Sequence, residues 1–266
     1  VRPVLQFSHG NGFPASSYQK MLDGLAGRFE IHAVERIGHD SAYPVTDNWP
    51  HLERELIAAI ERQHQPVCLL GHSLGGLLSI AVALARPELV RAVVILDAPV
   101  LASWRAWMFR LLKLSGRDAR FSPAAATLKR RVEFDSLEAA RAHFRSKQLF
   151  ARLDDEVLTD YLGRPADPAL PLRLSFDAAI EARIYRTIPH TLAGRMRRGS
   201  KVPIGFLAGT RSAETRLVGL SAAQALVGQH LQWIDGSHLF PLERPLVAAR
   251  AVDQMFQRLL GPDIAA

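Results

Sequence analysis

One cysteine, Cys68, stands among the 266 residues. No disulfide can close within the chain, and nothing in its cysteine usage asks for an oxidising compartment. Cys68 sits inside the apolar run Pro66-Val67-Cys68-Leu69-Leu70, where a buried, inert thiol is expected. No apolar run reaches the ~20 residues of a membrane span. Internal repeats and low-complexity tracts are absent, which excludes a repeat array. Residues 1–7 read as a strand and not as a secretory leader, so the expectation is a cytoplasmic protein. Acidic residues are the scarcer charge: 26 Asp and Glu face 33 Lys and Arg, a net charge of +7.

That excess is local. Residues 100–200 hold 19 Lys and Arg against 11 Asp and Glu, a balance of +8; the remainder holds 14 against 15, a balance of −1. Lys129-Arg130-Arg131 and Arg195-Met196-Arg197-Arg198 are the local clusters. A solvated helical surface is the plain reading, and attraction for anionic substrates or a phospholipid surface is the alternative. No recognised nucleic-acid-binding motif accompanies the charge, so nucleic acid is not an expected partner.

What is present is a regular alternation. A chain of 266 residues, 48% hydrophobic, fits one α/β domain with an insertion. Strand-like runs are expected at 4–8, 30–35, 67–70, 90–96, 202–208 and 230–234. Helical periodicity is expected at 16–27, from the Asp47-Asn48-Trp49-Pro50 start signal to about 63, and at 74–85, 212–227 and 245–260. Strand-then-helix alternation implies a parallel sheet with helices on both faces. Residues 101–198 break the rhythm with amphipathic helices at 136–150 and 154–162, punctuated by Pro165, Pro168 and Pro171. The expected organisation is a core of residues 1–99 and 200–266, with residues 100–199 inserted as a helical lid.

Gly71-His72-Ser73-Leu74-Gly75 lies between the third strand and an apolar helix. A G-x-S-x-G in this context is a nucleophile elbow. Glycines permit close approach of strand and helix, while Ser73 holds a strained backbone with its hydroxyl exposed. A serine needs a base. His238, in Asp235-Gly236-Ser237-His238-Leu239, follows the last strand and shares the carboxyl edge of a parallel sheet with the elbow. An acyl-transfer oxyanion needs two N–H donors. One is expected from Leu74, and the second from the loop after the first strand, Ser8-His9-Gly10-Asn11-Gly12-Phe13-Pro14.

His-Gly loop, elbow, insertion and late histidine, in this order over most of the chain, resemble the α/β-hydrolase superfamily. The resemblance implies that Asn11 donates the second oxyanion N–H and that His9 and His72 brace the loops. Two features depart from the family pattern. The chain begins directly on the strand before the His-Gly loop, without the strand hairpin that many members carry first. The triad acid is also missing from its common place, a G-x-x-Asp after the strand that follows the lid. This chain reads Gly209-Thr210-Arg211-Ser212 there. Asp97, at the end of the fourth strand, is one substitute, as in pancreatic-type lipases; Glu214 is the other. Each has a purely structural reading: Asp97 as a strand-end turn residue, and Glu214 as a first-turn acid of a helix.

The expected function is hydrolysis of a small-molecule carboxylic ester with an apolar acyl part, through an acyl-enzyme. Ser73 is the nucleophile, His238 the base, and Asp97 or Glu214 the acid, with no cofactor and no metal. Thioesterase or C–C hydrolase chemistry on the same triad is an alternative, as is a non-catalytic hydrolase-like binding protein. Trp104, Trp107 and Met108, just beyond Asp97, are expected to line the acyl pocket, with lid-to-core packing as the competing reading.

Overall fold

A computed structural model of the chain describes residues 2–116, 123–163, 167 and 170–261; Pro165 and Pro168 lie outside the described residues. Strands β1 (Val4–Ser8) and β2 (Glu30–Ala33) flank α1 (Gln19–Asp23). Then come α2 (Pro50–Glu61), β3 (Val67–His72), α3 (Leu74–Ala85) and β4 (Val90–Leu96). The insertion carries α4 (Ser103–Leu114), α5 (Ala124–Leu128), β5 (Glu133–Phe134), α6 (Leu137–Arg145), α7 (Asp155–Leu162), β6 (Leu172–Arg173), α8 (Ala178–Arg186) and α9 (Leu192–Met196). The chain returns through β7 (Ile204–Gly209), α10 (Ala213–Val218), α11 (Ser221–Val227), β8 (Leu231–Ile234), α12 (Phe240–Glu243) and α13 (Pro245–Leu260).

Six strands form one sheet in the order β2-β1-β3-β4-β7-β8, and every neighbouring pair is parallel. Side chains alternate across it as the two-residue period requires. Leu5, Phe7, Cys68, Leu70, Val94 and Leu96 join one apolar cluster with α1 and α13. Val67, Leu69, Val93, Ile95, Phe206 and Ala208 join the other with α2, α3 and α11. Coverage on both faces explains why β1, β3 and β7 are buried along their whole length, and β4 at every position but Arg91. Cys68 is free and buried, and burial pushes its thiol up to about 12.

The insertion packs into these same clusters. Phe144, Val157, Leu158 and Tyr161 of α6 and α7 belong to the first, and Ile184, Leu192 and Met196 of α8 and α9 to the second. Its strands β5 and β6 pair antiparallel, away from the main sheet.

Two expected helices differ in detail. Residues 15–18 wind as a tight 3-10 turn before the short α1. The helix expected at 212–227 is two, because Gly219, at φ 83°, ends α10 in a conformation that suits glycine. Among the described residues, no helix is long and apolar enough to cross a membrane.

Candidate active site

A parallel sheet delivers the carboxyl ends of all its strands to one edge. Here β1 runs into the His9–Phe13 loop, β3 into Ser73, β4 into Asp97 and β8 into the loop holding His238. Main-chain bonds lace these ends together. Ser73 N–H donates to the Leu96 carbonyl at 3.0 Å, Asp97 N–H to Leu207 at 2.8 Å, and Gly75 N–H to His9 at 3.1 Å. Ser73 takes φ 52° and ψ −113°, a strained combination for a residue with a Cβ. The glycines on either side permit it. A Cβ on Gly71 would lie 2.3 Å from the Gly75 carbonyl oxygen, and one on Gly75 would lie 2.0 Å from that of Ser8.

Ser73, His238 and Asp97 form one hydrogen-bonded line. Ser73 Oγ lies 3.0 Å from His238 Nε2, and His238 Nδ1 lies 3.0 Å from Asp97 Oδ2. Asp97 is fully buried, whereas the histidine side chain retains 16% exposure. The other carboxylate oxygen, Oδ1, accepts from Thr215 Oγ1 at 2.6 Å and from Gly209 N–H at 3.4 Å. Burial alone would raise the Asp97 carboxyl. The His238 hydrogen bond and charge, with help from Ser212 and Thr215, hold it below the usual range instead. Burial alone would lower the His238 imidazole; the Asp97 hydrogen bond and the Glu214 and Asp97 charges raise it above its ordinary value. Glu214 is half exposed, and its Oε2 lies 3.9 Å from His238 Nδ1, beyond hydrogen-bond reach but close enough to act as a charge. Ser212, where the common pattern has its aspartate, caps α10 by accepting from Thr215 N–H at 3.0 Å.

A second line braces the first. Gly10 N–H donates to the Tyr18 hydroxyl oxygen at 3.1 Å, the hydroxyl donates to His72 Nδ1 at 2.7 Å, and His72 Nε2–H donates to the His238 carbonyl at 2.9 Å. This needs a neutral His72. Burial first, then the charge of His238, pushes its pKa down to about 3. His9 is equally buried. Its Nδ1 pairs with the Gly10 carbonyl at 2.9 Å, its Nε2 accepts from Ile37 N–H at 2.8 Å, and burial lowers its pKa to about 4.

Asn11 lies in the loop after β1, and Leu74 follows Ser73 as the first residue of α3. The Asn11 side chain donates from Nδ2 to the Glu181 carbonyl at 3.0 Å, which ties the β1 loop to α8. Glu181 is almost fully buried, and its carboxylate makes a two-pronged pair with Arg130 at 2.7 and 2.8 Å. Its Oε1 leaves no room for a side chain at Gly12, where a Cβ would approach to 2.6 Å.

Trp104, Trp107 and Met108 stand elsewhere than expected. They are 59%, 63% and 43% exposed, and α4 has no buried residue. Trp107 lines a hollow of about 580 Å³ with Arg110, Lys113 and His190, a lining that includes neither Ser73 nor His238. The expectation of an acyl pocket on these side chains is therefore corrected, and lid-to-core packing does not describe them either. The helical period sends them outward with Leu111 and Leu114, while Ala106, Phe109 and Leu112 take the half-buried side. Thr215, Tyr18 and the Arg130–Glu181 pair were not singled out from sequence. Thr215 stands three residues after Ser212, which caps α10 by accepting from its N–H; a lone tyrosine in a helical run carries no signal.

Residues 7–251 match the sequence profile described as "Alpha/beta hydrolase family". A pimeloyl-[acyl-carrier protein] methyl ester esterase of Xanthomonas axonopodis pv. citri (strain 306) is 27% identical over 233 residues, covering 84% of this chain and 82% of that protein. The 2-(acetamidomethylene)succinate hydrolase of Mesorhizobium japonicum is 32% identical over 101 residues, 36% of this chain and 35% of its own length. Among solved structures, an E-2-(acetamidomethylene)succinate hydrolase superimposes with a TM-score of 0.75 at 19% identity, covering 97% of this chain and 92% of that one.

Proposed function

This chain belongs to the alpha/beta hydrolase family, and from that membership we infer a serine hydrolase that cleaves a carboxylic ester through an acyl-enzyme. The observation that carries the reading is the unbroken line Ser73 Oγ, His238 Nε2 and Nδ1, Asp97 Oδ2, with 3.0 Å at each step. The methyl ester esterase relative, aligned over most of both chains, supports an ester as the bond cleaved.

The chemistry runs in two halves. Ser73 Oγ attacks the ester carbonyl carbon as His238 Nε2 takes its proton. Charge developing on the carbonyl oxygen is met by the Leu74 and Asn11 N–H groups; Leu74 adds the field of the α3 N-terminus. Asp97, with an ionised and hydrogen-bonded carboxylate, keeps the proton on Nδ1 and stabilises the imidazolium. His238 then protonates the departing alcohol oxygen, and the acyl group remains on Ser73. Water, deprotonated by His238, attacks the acyl-enzyme and frees the acid. Residues 100–199 act as the lid over this edge, with Glu181 holding the Asn11 loop from above.

A fluorophosphonate probe tests the nucleophile, with Ser73→Ala as the blank. Labelling at Ser73 together with turnover of acyl p-nitrophenyl esters is the expected result. Faster turnover of acyl-CoAs than of oxygen esters would move the reading to a thioesterase. Silence with the probe and with every substrate would leave a hydrolase-like binding protein.

A further inference from the structure

Helix α4 is built inside out. Trp104, Trp107, Met108, Leu111 and Leu114, at spacings of three and four, share one face, and that face looks into solvent. Their exposures are 59%, 63%, 43%, 42% and 74%. Five large apolar side chains in a row exceed what a soluble surface ordinarily leaves uncovered. Leu128, 59% exposed, extends the strip, because it shares a hollow of about 660 Å³ with Leu114.

The rim of this strip carries one sign of charge. Arg105 and Arg110 border it on α4, which has no acidic residue; Lys113, 11% exposed, lies on the inward side of the helix. Arg183 and Arg186 line the hollow beside Leu114, and Arg197 lines another, of about 760 Å³, beside Ala106. Asp47 is the acidic residue lining the two hollows that flank Lys113, and it is already bonded to Lys113. Helix α4 belongs to residues 100–200, the segment with the charge balance of +8.

We propose that α4 docks the protein on an anionic lipid surface, with Trp104 and Trp107 at the boundary between headgroups and acyl chains and the arginine rim against lipid phosphates. The composition is that of an interfacial helix: a tryptophan- and leucine-bearing face with cations at its borders. A second copy of the chain fits less well. A two-fold contact sets a patch against itself, and here that would bring Arg110 and its neighbours onto the same cations. An acidic protein partner would satisfy the rim, but the outward arc between the cations is apolar apart from Ser103 at the start of the helix.

Sedimentation with vesicles tests the proposal, using phosphatidylcholine alone and phosphatidylcholine mixed with phosphatidylglycerol, at low and high salt. The protein should pellet with the mixed vesicles, far less with phosphatidylcholine alone, and be released by salt. Trp104→Ala/Trp107→Ala should abolish pelleting while the thermal midpoint stays near that of the parent. Removing Arg110 by Arg110→Gln should cost about 5-fold in partitioning, the effect of one surface cation. Acyl chains brominated near the headgroup should quench tryptophan fluorescence in the parent and not in Trp104→Phe/Trp107→Phe. Absence of pelleting with both vesicles overturns the proposal. So does equal pelleting by a folded Trp104→Ala/Trp107→Ala protein, or a concentration-dependent dimer that needs the two tryptophans and ignores lipid.

Discussion

The His238 main-chain carbonyl accepts a hydrogen bond from His72 Nε2 at 2.9 Å, so the loop that carries one histidine is held by another inside the core. His72 ends β3, directly before Ser73. Ser73 and the His238 imidazole are thus set against each other twice, once through side chains and once through this brace. Tyr18, on the far ring nitrogen, extends the brace to Gly10 at the mouth of the Asn11 loop.

Tyr18→Phe should leave two buried groups unpaired, His72 Nδ1 and Gly10 N–H. Denaturant unfolding should show a loss of about 1–3 kcal/mol. Activity should fall more than this stability loss explains, because the Asn11 loop and the His238 loop lose a common anchor. An unchanged kcat would confine Tyr18 to core packing.

Ser73→Ala and His238→Ala should each remove nearly all ester turnover, and the double variant should be no worse than the single ones, because the two residues act as one unit. Steady-state rates on a p-nitrophenyl ester measure this. Losses that multiply in the double variant would mean two independent roles.

Asp97→Asn should keep the fold and lower kcat by about 10⁴-fold, the scale of lost tautomer control in a comparable triad. It should also move the acidic limb of the pH–rate profile to lower pH. The Asp97 hydrogen bond and charge raise the His238 pKa, so without them the imidazole stays neutral, and able to act as base, in more acidic solution. Glu214→Gln should shift the limb in the same direction with little loss of kcat, since it contributes charge from 3.9 Å and no hydrogen bond. The reverse ranking of the two variants would make Glu214 the acid.

Stability should fall as the solution is acidified from the ordinary histidine range, near pH 6.5, toward about 3. His72 and His9 remain neutral in the fold, with pKa values near 3 and 4, but take up protons once the chain unfolds. Their contribution is fully present above pH 6.5 and is lost as pH drops through the folded values. Melting curves of His72→Gln should show a shallower dependence than the parent over this window. An identical slope would mean that His72 is protonated in the native state.

Gly75→Ala should fail to fold or lose about 3 kcal/mol or more, because its Cβ would sit 2.0 Å from the Ser8 carbonyl oxygen, a main-chain atom on a central strand. Gly228→Ala provides the contrast. Its positive φ strains a side chain, but nothing lies within 4 Å of an added Cβ. Circular dichroism and melting of the two proteins compare collision with strain.

Local pattern was enough for the parallel sheet, the tight strand-to-helix turn at Ser73 and the strand-end position of His238, because each depends on a short stretch: an apolar run, a pair of glycines, a loop before a helix. The break of 212–227 into α10 and α11 escaped that reading, since Gly219 is one weak breaker inside a strong apolar period. The sequence also shows the repeating Trp, Met and Leu of α4. Periodicity marks which residues share a face and says nothing about whether another element covers it. Which of Asp97 and Glu214 comes within hydrogen-bond reach of His238 needed the fold most. Asp97 is more than a hundred positions from His238, and Glu214 is far nearer in sequence. Strand order sets β4 beside β7 and β7 beside β8, and that order carries the Asp97 carboxylate to 3.0 Å from the imidazole while Glu214 stays at 3.9 Å, half in solvent. Neighbours along a chain are fixed by its covalent bonds; neighbours across a sheet are fixed by which strands pair, and that pairing is decided by the packing of the whole core.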